Sequence, residues 1–269
     1  MGCRIGGDKV IFADDNNNGF FAEFNRDAVY VGRSIYGVPF GQYLLLDGEI
    51  FEIKVNETGT SVRYRKYKGE WGYADLTSEW GGTKPPEAAI IQARRMLGGT
   101  CFNVCEGDEP RVPAAKYQII GGYLEDVVIE SKRARLFFEV EWKQTAKVEW
   151  GVGLKLTAPY QYDPETGELN ISPEFEIKGK HGEFYRGAFL NTRKYHAWVQ
   201  FLDAEGAQVG TKTKWSMDDV EVDPFNTEVM WIPFQKVKPE GAVKALVTME
   251  VPGVGEAPME IDLQQSSDS

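Results

Sequence analysis

Short segments of β-forming residues, separated by turn residues, are the feature that most constrains how this chain can fold. After Leu46, the pair Asp47-Gly48 predicts a two-residue hairpin turn, because both residues tolerate a positive φ. Beyond residue 116, strand signals return at roughly ten-residue intervals, with turn-like separators such as 163–168 and 203–206. This pattern is typical of a β-sandwich, immunoglobulin-like or jelly-roll-like. The sequence therefore predicts a mainly-β fold.

One helix is predicted, over about residues 85–98. Pro85 and Pro86 suit a first helical turn, and Glu87 is favourable at the positive end of the helix dipole. Good helix formers follow, and Gly98-Gly99 ends the segment. We expect this helix to pack on the preceding strands.

The domain organisation predicted from these segments has two parts joined by a linker. Residues 1–104 form a small β meander that includes the helix, and the polar, proline-bearing segment 105–116 is the linker. Residues 117–263 form the sandwich, and 264–269 form a disordered tail.

Charge and composition limit the classes of function. The chain has 269 residues, with 30 Lys and Arg against 41 Asp and Glu, a net charge of -11 that repels phosphate backbones and argues against nucleic-acid binding. No segment approaches the roughly 18 apolar residues of a membrane span. Residues 1–6 lack the apolar stretch of an export signal, so the protein is either cytosolic or given without its leader.

The segment 14–19 reads Asp-Asp-Asn-Asn-Asn-Gly and fits the pattern D-x-N-x-N-G. Alternate oxygen-bearing side chains on a tight loop can converge on a hard cation such as calcium, and glycine permits the bend. A further carboxylate must close the site, and Glu23 or Asp27 can supply it. The predicted ligands are the side chains of Asp14, Asn16, Asn18 and Asp27, and the main-chain carbonyl of Phe20.

This loop resembles the EF-hand and dockerin calcium loops, but Asn25 stands where an EF-hand has its bidentate glutamate and the flanking segments are strands. It is therefore not an EF-hand. It is more similar to the D-x-N-x-N-G loops of exported bacterial β proteins, in which a later acid, matching Asp27, closes the site. The resemblance implies a structural calcium ion, with weak affinity of about 0.1–1 mM and a periplasmic or extracellular address. The alternative is a plain turn capped by Asx side chains without metal.

Aromatic residues provide a second candidate site. Trp71, Tyr73 and Trp80 lie in a glycine-rich stretch and could form a stacking surface for a sugar or a contact for a protein partner. The alternative is a small satellite core. The other tryptophans are predicted to lie in the sandwich core, namely Trp142, Trp150, Trp198, Trp215 and Trp231.

These observations favour a non-enzymatic binding or structural protein, stabilised by calcium, that presents loops or sheet edges to a protein or glycan partner. Two histidines in the whole chain leave few candidates for general-base or zinc chemistry. One alternative is a carboxylate-based hydrolase acting on glycans, and another is a self-assembling virion or surface-layer component. Cys101 and Cys105 could form a disulfide or remain thiols.

Overall fold

The computed structural model describes residues 1–21, 23–56, 58–94, 97–105, 110–125, 127–131, 133–134, 136–187, 196–223 and 226–264. Strands dominate these residues, and their one helical feature is a short 3₁₀ turn at Leu97–Gly99. The prediction of a mainly-β chain is confirmed. None of the helical structure in the described ranges is long and apolar enough to cross a membrane. The predicted tail lies outside the described residues except for Gln264.

The strands follow one another with short connections along the chain. The first fifteen are β1 Gly2–Ile5, β2 Asp8–Ala13, β3 Ala28–Val31, β4 Val38–Pro39, β5 Tyr43–Leu46, β6 Glu49–Val55, β7 Val62–Lys66, β8 Trp71–Asp75, β9 Ala88–Ala93, β10 Cys101–Asn103, β11 Arg111–Pro113, β12 Ala115–Leu124, β13 Val127–Glu130, β14 Phe137–Val140 and β15 Thr145–Lys147. The others are β16 Lys155–Thr157, β17 Tyr160–Asp163, β18 Glu168–Ile171, β19 Glu176–Lys178, β20 Phe184–Gly187, β21 His196–Leu202, β22 Gln208–Trp215, β23 Met217–Asp223, β24 Asn226–Trp231, β25 Phe234–Val237, β26 Lys244–Val251 and β27 Gly255–Asp262.

The chain divides into two compact units, and the division differs from the predicted one. The first unit comprises Met1–Trp80, Pro85–Leu124 and Glu130–Trp150, and the second comprises Gly81–Lys84, Glu125–Ile129 and Gly151–Ser269. The predicted linker 105–116 is not a boundary, because β11 and the start of β12 lie within it and belong to the first unit. Pro113 is compatible with this strand because β11 is the edge of its sheet, where a missing N–H is tolerated.

The strands of the first unit are hydrogen-bonded in the orders β1-β2-β3-β4, β5-β6-β7, β11-β8-β15 and β10-β9-β12, with β14 also paired with β12. Inward-facing residues of these strands form one buried apolar cluster. Its members are Ile5, Val10, Phe12, Val29, Val38, Phe40, Leu44, Leu46, Ile53, Ala88, Ile90, Cys101 and Ile120.

The predicted hairpin between β5 and β6 is confirmed. Leu46 is paired with Glu49 in antiparallel register, which leaves Asp47 and Gly48 as the two turn residues. Their φ angles are 45° and 71°, as a type I′ turn requires. A left-handed backbone is accessible to aspartate and to glycine, so the local sequence determines this turn.

The predicted helix at 85–98 is wrong, because the structure has strand β9 over Ala88–Ala93. β9 is paired on one side with β10 and on the other with β12, so that Ile91 lies opposite both Phe102 and Ile119. Five of its six residues are buried. An apolar run that is covered on both faces shows no period-2 alternation, and its pattern therefore does not distinguish a strand from a buried helix. Residues 95–96 of the predicted helix lie outside the described residues.

In the second unit the strands are hydrogen-bonded in the orders β13-β20-β19-β16, β22-β21-β26-β27 and β17-β18-β25, and β23-β24 is a hairpin. β16 packs against β26 and β27, so two of these sheets contact each other within the second unit. Along β21, Ala197, Val199 and Phe201 are buried and alternate with less buried residues. Trp215 is buried, with its ring 5.5 Å from that of Trp231.

Replacing Ile91 with alanine tests the position of β9. Ile91 is fully buried between two strands, so we expect Ile91→Ala to lower the free energy of unfolding of the first unit by about 2–5 kcal/mol. Ile35 is 79% exposed, and Ile35→Ala is the matched control, with an expected change within about 0.5 kcal/mol. Chemical denaturation measures both changes. Equal effects of the two substitutions would contradict the buried central position of β9.

Candidate functional site

The D-x-N-x-N-G loop leaves the end of β2 and is folded tightly around the carboxylate of Asp14. Its two oxygens accept hydrogen bonds from the backbone N–H groups of Asn18, at 3.0 Å, and Gly19, at 2.6 Å. The side-chain oxygen of Asn18 accepts the N–H of Phe20 at 2.9 Å. Asn17 and Gly19 have φ angles of 56° and 86°, which produce the sharp bend. The loop conformation is therefore determined by its own Asp and Asn side chains.

Glu23 is the carboxylate toward which the loop amides point. The side-chain amide of Asn16 donates to Glu23 Oε2 at 2.8 Å, and the amide of Asn18 donates to the same oxygen. Arg26 lies 3.2 Å from the other oxygen. The hydrogen bond from Asn16 and then that from Asn18 lower the pKa of Glu23, with Arg26 contributing further. Glu23 is therefore an ionised acceptor at neutral pH.

Asp27, the predicted closing ligand, is buried beneath the loop backbone and is not contacted by the Asn side-chain amides. Its side chain is buried, and Oδ2 accepts the backbone N–H of Glu23 at 2.8 Å. Its Oδ1 atom is buried and has no hydrogen-bond partner in the described part of the chain. Asp27 thus anchors the backbone at Glu23. The sequence offers either Glu23 or Asp27 as the carboxylate that closes the calcium site. The structure distinguishes them, because the side-chain amides of Asn16 and Asn18 contact Glu23.

The donor set of this loop consists of carboxylate and amide oxygens. Across the described ranges, no group of three or more His, Cys, Asp and Glu side chains is arranged to hold a metal ion. Asn16 and Asn18, two of the predicted ligands, have amide side chains and are therefore not among those four residue types. Carboxylate, amide and main-chain oxygens are the ligands that calcium takes, so the chemistry of the loop fits the ion. Calcium binding at this loop stays a prediction.

The structure brings two of the three predicted aromatic residues together. Trp71 and Tyr73 lie on the same face of β8, with ring centroids 5.5 Å apart and an edge-on orientation. The guanidinium of Arg111 lies 4.1 Å from the centre of the Trp71 ring. Trp80 instead packs edge-on against the buried Trp150, at 4.6 Å, as expected for a satellite core.

The prediction that Trp142 lies in a sandwich core is wrong, since 55% of this residue is exposed. It stands in a turn after β14 in which the N–H of Gln144 donates to the carbonyl of Glu141 at 3.1 Å. Lys143 has a φ of 57° in this turn. Charged and polar residues surround Trp142 in the sequence, and this local polarity is the signal that distinguishes it from the buried Trp150.

The three cysteines of the chain are free thiols in the structure. Cys101 and Cys105 are not joined by a disulfide. Cys101 is buried, with its Sγ atom 3.7 Å from the carbonyl oxygen of Gly99. We assign Cys101 to the packing of β10 against its neighbours.

Comparisons with known proteins identify no family for this chain. No protein-family model matches it, and no curated protein matches it. A DUF3823 family protein from Bacteroides ovatus has a similar solved structure, with 9% sequence identity, 73% of this chain and 100% of that chain covered, and a TM-score of 0.24. A TM-score this low carries no argument about fold or function.

Replacing Asp14 tests its role in holding the loop. Asp14→Ala removes the acceptor for two backbone N–H groups. Loss of a hydrogen bond worth about 1.4 kcal/mol raises the equilibrium constant for local opening of the loop tenfold. We therefore expect the amides of Asn18 and Gly19 to exchange with deuterium about tenfold faster. Asp15→Ala is the matched control, since no hydrogen bond to the Asp15 side chain occurs among the described residues. Unchanged exchange in Asp14→Ala would refute the contact.

Proposed function

We propose that this chain is a non-enzymatic β-sandwich binding protein whose D-x-N-x-N-G loop takes a structural calcium ion. The observation that carries the proposal is the gathering of oxygen-bearing side chains from Asp14, Asn16, Asn18 and Glu23 within one short loop, linked by hydrogen bonds. Calcium takes six to eight oxygen ligands at flexible geometry, which a loop of this composition provides together with its carbonyl groups.

The proposed ligands are the side chains of Asp14, Asn16 and Asn18, the carbonyl of Phe20 and the carboxylate of Glu23. Asp14 and Glu23 together carry the two negative charges that balance the ion. Arg26 pairs with Glu23 and competes with the cation for it. Few carboxylates and a competing arginine favour a weak site, with a dissociation constant of about 0.1–1 mM, as in extracellular modules. A periplasmic or extracellular location follows from that affinity.

The role of the ion would be structural. The loop joins β2 to β3, and Asp27 at the start of β3 already binds the backbone of Glu23. The backbone carbonyl of Asp27 accepts the N–H of Phe40 at 2.7 Å, which connects the loop to the buried cluster. A cation held by Asp14 and Glu23 would fix the two ends of the loop and stabilise the first unit.

Exposed aromatic side chains support a binding role for the first unit. Phe20 is 46% exposed, Phe24 50% and Trp142 55%, and all three lie outside the strands. Large aromatic side chains on loops that a rigid sheet positions are typical of surfaces that bind a protein or a glycan.

Calcium addition tests the proposal directly. At 10 mM calcium and a dissociation constant of about 0.1–1 mM, binding to the folded state alone adds roughly 1.4–2.7 kcal/mol of stability. For a chain of this size we expect the melting temperature to rise by about 3–10 °C. Differential scanning calorimetry in calcium and in EDTA measures the shift.

Two variants make this experiment specific. Asp14→Asn and Glu23→Gln should each remove most of the shift, because each removes one of the two charges that balance the ion. Asp15→Asn keeps the shift, since Asp15 is not among the proposed ligands. A rise in melting temperature that is the same in all three variants, or no rise in the unmodified chain, would exclude the calcium site.

A further inference from the structure

A cavity of about 660 Å³ opens at the surface of the first unit. Small side chains such as Ala115 and Val140 line part of it, and the remainder is charged or aromatic. We define the Trp142 groove by its charged and aromatic lining residues, which are Glu70, Arg94, Lys116, Glu139, Glu141 and Trp142. The volume falls within the range of small-ligand sites, about 300–1,000 Å³.

The turn that carries Trp142 is held rigidly against β8. The N–H of Lys143 donates to the carbonyl of Trp71 at 2.7 Å, and the N–H of Tyr73 donates to the carbonyl of Gln144 at 2.8 Å. A Cβ atom at Gly72 would lie 2.3 Å from the carbonyl oxygen of Glu141, so glycine permits this close approach. The backbone that carries Trp142 is therefore held in position before any ligand arrives, which lowers the entropic cost of ordering the turn on binding.

The backbone conformation of this turn is unusual. Lys143 has a φ of 57°, a left-handed conformation that costs a non-glycine residue about 1–2 kcal/mol. Residues in such conformations cluster at functional sites. In this conformation the ammonium of Lys143 lies 4.4 Å from the centre of the Trp142 ring. Trp142 is nevertheless 55% exposed, and it lines the groove.

The charges around the groove balance one another. Lys116 and Glu139 face each other across β12 and β14, with Nζ and Oε2 3.6 Å apart. Arg94 lies over the ring of Phe137 at 4.4 Å, beside this pair. The lining of the groove carries three acids and two basic residues, and Lys143, on the Trp142 ring, adds a third positive charge beside it, so that charges of both signs are interspersed around the groove. A neutral ligand fits this balance better than an anion or a cation does.

We infer that the Trp142 groove binds a neutral saccharide. An indole face offers an apolar surface for the C–H face of a sugar ring, while carboxylates accept and basic groups donate hydrogen bonds to hydroxyl groups. One mode of peptide recognition adds a strand to a free sheet edge, and the Trp142 turn offers no such edge because its backbone groups are hydrogen-bonded to β8. This inference rests on the proposed function, because it names the ligand class of the binding protein.

Affinity electrophoresis of the full chain in gels containing soluble neutral polysaccharides tests the inference. Amylopectin, xyloglucan, galactomannan and laminarin are the probes, each run in calcium and in EDTA. We expect at least one polysaccharide to retard the protein, and Trp142→Ala to weaken that binding by tenfold or more. Trp142→Phe should weaken it less, because an aromatic face is retained.

Trp198→Ala is the matched control. Trp198 lies in β21, does not line the groove, and also has a lysine near its ring, with Lys212 Nζ 4.8 Å from the ring centre. Its replacement should leave retardation unchanged. Circular dichroism of each variant checks that its strand content is retained. If Trp142→Ala does not fold, loss of retardation is measured in Trp142→Phe and Glu139→Gln instead.

The outcomes separate the inference from the proposed function. Retardation by none of the four polysaccharides, or retardation that Trp142→Ala leaves intact, overturns the saccharide groove. Binding of a casein peptide pool that is lost in Trp142→Ala, without polysaccharide binding, overturns it in favour of a peptide site. The calcium shift in melting temperature is measured on the same samples. A calcium shift without retardation supports the calcium loop and overturns the saccharide groove. Retardation without a calcium shift supports the groove and overturns the calcium loop.

Discussion

The burial of β9 on both sides is the constraint on which the first unit depends. Five of its six residues are apolar and buried, with Gln92 the one polar residue, so the strand must be covered by neighbours in the sheet and above and below it. β10 and β12 satisfy its backbone groups, and Ile91 lies between Phe102 and Ile119. Ala88 and Ile90 of this strand and Cys101 of the neighbouring β10 also belong to the buried apolar cluster of the first unit. The loops that carry the candidate sites are attached to this rigid arrangement.

The sequence predicts those parts of the fold that local chemistry determines. Asp47-Gly48 specifies its own turn, and its hairpin is confirmed because the left-handed backbone is accessible to both residues. The segment at 88–93 was assigned wrongly, because helix formers and a buried strand share the same apolar composition when both faces are covered. The linker was assigned wrongly because polar and proline residues also occur on an edge strand, as β11 shows. Tertiary contacts decide these cases.

The candidate sites also divide into features that local sequence determines and features that tertiary contacts determine. The ligands within 14–20 follow one another along the chain, so a spacing rule finds them. The choice between Glu23 and Asp27 depends on which acid the Asn amides reach and which is buried under the backbone, and spacing does not encode it. Trp142 and its groove were missed because Glu70, Arg94 and Glu139 come from segments far apart in sequence. Only the register of β12 with β14 and the attachment of the turn to β8 bring them together.

The parallel pairing of β15 with β8 has a consequence for how the protein is made. Thr145 pairs with Tyr73, and the indole N–H of Trp150 donates to the carbonyl of Leu76 at 2.7 Å. These contacts join parts of the chain separated by more than 70 residues. A ribosome must therefore release residue 147 before β8 obtains its second neighbour, and the nascent amino-terminal half stays incomplete until then. Until that moment, the edge of β8 that β15 later occupies is open to pairing with other chains.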